Sequence, residues 1–144
     1  IPSSIAGIPG HPVKDVTLEN IEISYGGRAD KNIAYTPLDK VTSVPENEAG
    51  YPDFSMWGEL PAWGFYMRHV EGIKMINVKL SYVEDDFRPA MVLDDAKGIN
   101  MKGLNIGAAK EMPVILLNNV SDLTTKNLSL PVSEEKGIQK TNYK

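Results

Sequence analysis

Nineteen acidic residues and two histidines are the chain's groups best suited to moving protons, and cysteine is absent. Without cysteine there is no disulfide, no thiolate metal site and no thiol nucleophile. Acidic neighbours occur at Asp85-Asp86, Asp94-Asp95 and Glu134-Glu135, while Glu46, Glu48 and Glu59 fall among aromatic residues. Carboxyl groups whose environments push their pKa values apart are a common apparatus of general acid–base catalysis. Two histidines, His11 and His69, are too few for a histidine-rich metal site, and no HExxH spacing accompanies them. Neither a GxSxG elbow nor a phosphate loop nor a dinucleotide fingerprint is present, so no cofactor is expected. The meaning of each acidic pair depends on the element that carries it.

Those elements repeat. VEGIKMINVKL (Val70 to Leu80) has close copies at Val13 to Ile23, Ala96 to Ile106 and Val120 to Leu130. Self-similarity of this kind marks a repeat architecture. Within each copy, apolar residues alternate with polar ones, the period of a strand buried on one face. The alternation slips by one residue at Asn20, Asn77, Gly103 and Asn127, and an earlier position holds Asp15, Gly72, Gly98 and Asp122. Gly, Asn and Asp most readily take the left-handed backbone conformation, so both positions are expected to be corners. Stacking the copies predicts interior ladders: Val16, Ile73, Ile99 and Leu123, then Leu18, Met75, Met101 and Thr125. Two more are Ile21, Val78, Leu104 and Leu128, and Ile23, Leu80, Ile106 and Leu130. A further strand precedes each later copy, with Phe65, Met91 and Ile115 in one register and Met67, Leu93 and Leu117 in another. The expected fold is all-β, a parallel β-solenoid of about four coils stacked at roughly 4.8 Å.

The copies start at positions 13, 70, 96 and 120, so the first gap exceeds the others by roughly 30 residues. Residues 28–61 fill it and hold four of the ten prolines, with aromatics at Tyr35, Tyr51, Phe54 and Trp57. This reads as an insertion at a coil corner, folded against the solenoid, since long solenoid insertions often line a binding face. The leading IAGIPGHP reads as a turn before the strand at Val16, within a first coil from about Ile5 to Tyr25. Asp94-Asp95 aligns with Arg68-His69 and Asn118-Asn119. It is therefore expected to be a repeated corner, with Arg68 near Asp94 and Asp94 near Asn118 in a polar ladder on the outside. Asp85-Asp86 reads as a solvated corner, and residues 132–144 as a polar terminal tail or partial cap.

Composition is that of an ordinary globular domain, 42% apolar and 24% charged, and one domain is expected. A net charge of −4 with no dense basic cluster argues against nucleic acid and anionic membrane as partners. No apolar run approaches the ~18 residues that span a bilayer. The first coil has nothing resembling a cap, so its exposed edge is expected to meet upstream residues or a second copy, giving a homo-oligomer.

Three stretches, SSIAGIPGHPVKDVTLENIEISYGGRAD, VPENEAGYPDFSMWGELPAWGFYMRHVEGIKMINVKL and FRPAMVLDDAKGIN, resemble the C-terminal part of bacterial glycoside hydrolase family 28 proteins. These are polygalacturonase-like, pectin-degrading enzymes. The resemblance spans about Ser3 to Ile106. It implies a right-handed parallel β-helix, a pectic substrate, an inverting mechanism with carboxylate acid and base, no metal, and an extracytoplasmic location. The family's Asn-Thr-Asp, Gly-Asp-Asp, Gly-His-Gly and Arg-Ile-Lys signatures are absent here. Gly10-His11-Pro12 is not Gly-His-Gly, and Asp94-Asp95 is assigned to a corner, so no catalytic residue is expected in this chain.

Sugar binding has better candidates than sugar cleavage. Inverting hydrolysis needs two carboxyls roughly 6.5–9.5 Å apart across the scissile bond, and only Glu46, Glu48 and Glu59 have aromatic surroundings suited to it. Flat aromatic faces stack on pyranose rings, and arginine pairs bidentately with carboxylates. Arg28, Tyr51, Trp57 and Trp63 are accordingly the candidate contacts to an anionic oligosaccharide. The expected function is that of a C-terminal segment of a pectin-degrading hydrolase, inactive alone. A stand-alone carbohydrate-binding solenoid and a self-associating structural module are the alternatives.

Overall fold

The computed structural model describes residues 1–32 and 36–142. Tyr35, one of the insertion's aromatics, lies outside the described residues. The described chain is mostly strand, and seven strands form one parallel sheet. They are β1 (Ser3–Ala6), β2 (Val13–Gly27), β3 (Phe65–Glu84), β4 (Met91–Lys102), β5 (Asn105–Ile106), β6 (Ile115–Lys126) and β7 (Ile138–Thr141).

Register follows the repeat. Val16 pairs with Ile73, Ile73 with Ile99, and Ile99 with Leu123; Leu18, Met75, Met101 and Thr125 align in the same way. Leu80 lies between Ile23 and Ile106. Because pairing is parallel and unslipped, like side chains stack on like. Ile73, Met75, Val78, Leu80, Met101 and Leu104 share a single core and are essentially inaccessible. Each such aliphatic side chain contributes roughly 1.5–3 kcal/mol by leaving water.

Long strands bend where the sequence slips. Asp15, Gly72, Gly98 and Asp122 all have positive φ, as do Asn20, Asn77, Gly103 and Asn127. A third column comprises His69, Asp95, Asn119 and Asn142, at φ of 50°, 55°, 52° and 48°. Asn77 Nδ2 donates to Asn20 Oδ1 at 2.8 Å, so one corner side chain supports the next.

The segments 65–67, 91–93 and 115–117 are buried on both faces, which explains their unbroken apolar runs. Phe65, Met67, Met91, Leu93, Ile115 and Leu117 face the core just described. Tyr66, Val92 and Leu116 face the other way, into a second cluster built with Val41, Val44 and Leu60 from the insertion and Ala62 just after it. A 3₁₀ helix, Leu38–Ser43, delivers Val41 to that cluster. The insertion is thus packed onto the sheet's outer face.

Three local expectations need correction. Ser3–Ala6 is a strand paired with Phe65–Arg68, the turn is confined to Ile8–His11, and β2 already begins at Val13. The backbone edge of β3 at 65–68 requires hydrogen-bond partners, and β1 supplies them. At the other end, residues 132–144 do more than trail: helix α1 (Glu134–Gly137) leads into β7, which pairs Ile138 to Thr141 with Ile115 to Asn118. The ladder Arg68, Asp94, Asn118 forms as expected, but it lies buried beneath the insertion, each residue under 9% exposed. On the N-terminal side, β1 and β2 pair among the described residues only with β3, leaving Ile5, Val16, Leu18, Ile21 and Ile23 half-buried along an open edge.

Candidate functional site

Both ends of the insertion are tied down by one buried ion pair. Asp86, expected to be solvated, is 1% exposed and accepts from Arg88 Nη2 at 2.8 Å and from Arg88 Nε and N–H at 3.0 Å. Its other reach is to the Ala29 N–H at 3.3 Å, where the insertion begins. Arg88 in turn donates to the Leu60 carbonyl, where the insertion ends. Burial works against the Asp86 charge. The Arg88 hydrogen bonds and charge, with the Ala29 N–H, outweigh it and hold the carboxyl below its ordinary pKa. Asp85 stays on the surface and pairs with Lys110.

This anchoring sets two adjoining hollows of about 220 Å³ each, which share Ile1 and Glu59. Phe54 and Trp57 wall the first. The half-buried Trp57 rests on Tyr66 with ring centroids 6.5 Å apart, and Phe54 is 72% exposed. Arg28, Asp30, Phe87 and Arg88 line the second. Arg28 has φ +71°, and its guanidinium meets Glu84 at the surface, at 3.1 Å with the arginine side chain 82% exposed. Such exposed pairs contribute at most about 1 kcal/mol, so the guanidinium is free to exchange partners.

Of the four candidate contacts, the structure brings Arg28 and Trp57 to neighbouring hollows. Tyr51 is 83% exposed and lines neither. Trp63 is a correction: it is 1% exposed, packed edge-on against Tyr25 at 5.7 Å and Tyr82 at 5.1 Å. A residue entering a strand buried on both faces has no ring surface left for a ligand. Glu59 lies between the hollows, whereas Glu48 is exposed elsewhere on the insertion.

A second polar constellation lies at the Arg68-His69 corner. Arg68 holds the insertion by donating to the Val44 carbonyl at 2.5 Å and the Thr42 carbonyl at 3.0 Å. Its guanidinium also meets Glu46 at 3.0 Å and Asp94 at 3.1 Å. His69 Nδ1 faces Asp95 Oδ2 at 2.5 Å, and Nε2 faces both Glu46 oxygens at 3.0 and 3.1 Å. Burial opposes a charge on this ring; the two carboxylates outweigh it and raise the His69 pKa. A hollow of about 510 Å³ opens beside them, lined further by Asn118, Asn119 and Asn142. Asp94 is committed to Arg68 and to the Asn118 amide at 2.7 Å, so its pairing with Asp95 in sequence produces no acid–base pair.

Among the described residues no group of three or more His, Asp or Glu side chains is arranged to hold a metal ion. Repeat alignment alone places Arg68 and Asp94 together but misses Glu46 and His69. The available signal was position 69 itself, the one histidine in a column otherwise made of Asp and Asn.

Comparison of the chain with family models, curated proteins and solved structures finds no match.

Proposed function

We propose that the chain is a segment of a right-handed parallel β-helix of the glycoside hydrolase family 28 type. In this reading it walls one side of a pectic-saccharide cleft and does not hydrolyse the polymer unaided. The parallel unslipped registers with Asn, Asp and Gly corners support the helix. GIPGHPV and YPDFSMWGELPAWGFY support the family resemblance, and with it an extracytoplasmic location, where pectin is found.

The observation that carries the saccharide reading is the adjacency of the Phe54–Trp57 hollow and the Arg28 hollow. An apolar ring face suits the CH-rich face of a pyranose, and a guanidinium suits a uronate carboxylate. Two hollows sharing a wall suit consecutive residues of an acidic oligosaccharide. Affinity electrophoresis tests this: migration slows in gels containing polygalacturonate and is unchanged by neutral galactan. Equal retardation by both polymers, or none, contradicts the reading, and reducing-end release from polygalacturonate at the rate of a complete enzyme refutes the inactive-wall role.

A second reading rests on the open edge of β1 and β2. An unpaired strand edge backed by half-buried Val16, Leu18, Ile21 and Ile23 favours pairing with another chain or a preceding coil. Sedimentation of the isolated chain distinguishes self-association from a stable monomer.

A further inference from the structure

We propose that His69 is a proton-dependent fastener: doubly protonated, it bridges Glu46 of the insertion and Asp95 of β4, and losing a proton breaks that bridge. The inference is independent of the saccharide reading and concerns how the insertion is held to the sheet.

The first support is geometric. His69 Nδ1 lies 2.5 Å from Asp95 Oδ2, and Nε2 lies 3.0 and 3.1 Å from the Glu46 oxygens. Neutral imidazole carries one N–H and one lone pair, and ionised carboxylates only accept. Whichever nitrogen lost its proton would direct a lone pair at an acceptor. Both contacts are satisfied together only by the imidazolium. Each carboxylate has a second partner: Glu46 meets Arg68 Nη2 at 3.0 Å, and Asp95 accepts from Asn119 Nδ2 at 3.2 Å.

The second support is the corner column. At positions 95, 119 and 142 the same left-handed backbone is occupied by Asp, Asn and Asn. Those residues take this conformation most readily. Histidine is also enriched in this conformation, so the backbone accepts His69, and its two carboxylate contacts are what set it apart in the column.

Charge around the ring agrees. Arg68 and Asp94 adjoin it under the insertion, paired with each other. Glu71 and Lys97 line the hollow on its other face, and Lys14 pairs with Glu71 at 3.4 Å. With Glu46 and Asp95 these make four carboxylates against three cations, so a proton on His69 brings the group to balance. The ring's raised pKa arises from the same two carboxylates overcoming burial. The sign is that of a histidine gaining partners: the link is complete below the unfolded pKa of about 6.5 and is lost as pH rises through the higher folded value. Arg68 keeps its grip on the Thr42 and Val44 carbonyls and on Glu46 throughout, so loss of the proton loosens the insertion beyond Glu46 without detaching it.

Nitrogen-15 NMR of the histidine rings across pH 5 to 9.5 tests the proposal on the whole chain. His11, exposed and outside the cluster, serves as the internal reference. His69 is expected to carry protons on both nitrogens at neutral pH and to titrate above His11, the direction its two carboxylate partners impose. Glu46→Gln lowers that midpoint. Hydrogen exchange at the Gly50 amide, which donates to the Asn47 carbonyl just beyond Glu46, rises as His69 deprotonates once normalised to its intrinsic rate. In His69→Asn, which suits the corner backbone, exchange is fast and independent of pH. A single-proton tautomer at neutral pH, titration at or below His11, an unmoved midpoint in Glu46→Gln, or unchanged exchange each overturns the proposal. Should His69→Asn fail to fold, the ring titrations of the wild type and Glu46→Gln decide alone.

Discussion

Replacing Asp86 with alanine is expected to loosen both ends of the insertion at once. Asp86 is 1% exposed, and three of its four hydrogen bonds come from Arg88, itself 7% exposed. Asp86→Ala therefore strands a buried guanidinium with only the Leu60 carbonyl as partner. Removing one member of a buried pair costs about 3–5 kcal/mol, because the remaining charge is left uncompensated. Against a total stability of roughly 5–15 kcal/mol, that is a large fraction. Urea unfolding followed by circular dichroism measures it as a fall in midpoint at unchanged slope. The double variant Asp86→Ala/Arg88→Met removes the stranded charge and is expected to recover at least half of the loss. Acid provides an independent check. With a folded pKa below the unfolded value of about 3.9, the Asp86 contribution is present above that value and disappears as pH falls through the folded pKa. The gap between wild type and Asp86→Ala must therefore narrow in acid. A loss under about 1 kcal/mol at neutral pH, or a double variant less stable than Asp86→Ala, refutes the reasoning.

Other substitutions test other parts of the structure. Leu80→Ala empties a fully buried ladder position and is expected to cost about 2–5 kcal/mol in the same unfolding assay. At the Asn77 corner, φ +52°, Asn77→Gly loses only the bond to Asn20, whereas Asn77→Ala also strains the backbone and is worse by about 1 kcal/mol. Gly27→Ala places a methyl group 1.9 Å from the Glu84 carbonyl oxygen at φ +72°, and its thermal midpoint should fall well below that of Asn77→Ala.

Much of the fold was legible because the repeat fixes register. Once Ile73, Ile99 and Leu123 are aligned, parallel pairing and the corners at Asn20, Asn77 and Asn127 are dictated by alternation and backbone preference alone. β1 and β7 escaped because four-residue strands carry too little pattern. SSIA and IQKT acquire meaning only beside the edge they complete. Asp86 was misread because EDDFR looks like a polar corner; its burial depends on Ala29 and Leu60, which are distant in sequence. Trp63 was misread for the opposite reason. Aromatic residues serve ligand faces and cores equally well, and only the two-sided burial of the strand beginning at Phe65 decides between them. His69 was passed over as one of two scattered histidines. Its partner Glu46 arrives on the insertion, whose path no periodicity encodes.

The measurement that bears most directly on the central claim is tryptophan fluorescence during titration with oligogalacturonides. The chain has two tryptophans, and only Trp57 is within reach of solvent, Trp63 being 1% exposed. The account predicts a saturable change in emission that Trp57→Ala abolishes, Arg28→Ala weakens and Trp63→Phe retains. No change at millimolar sugar, or an undiminished change in Trp57→Ala, contradicts it.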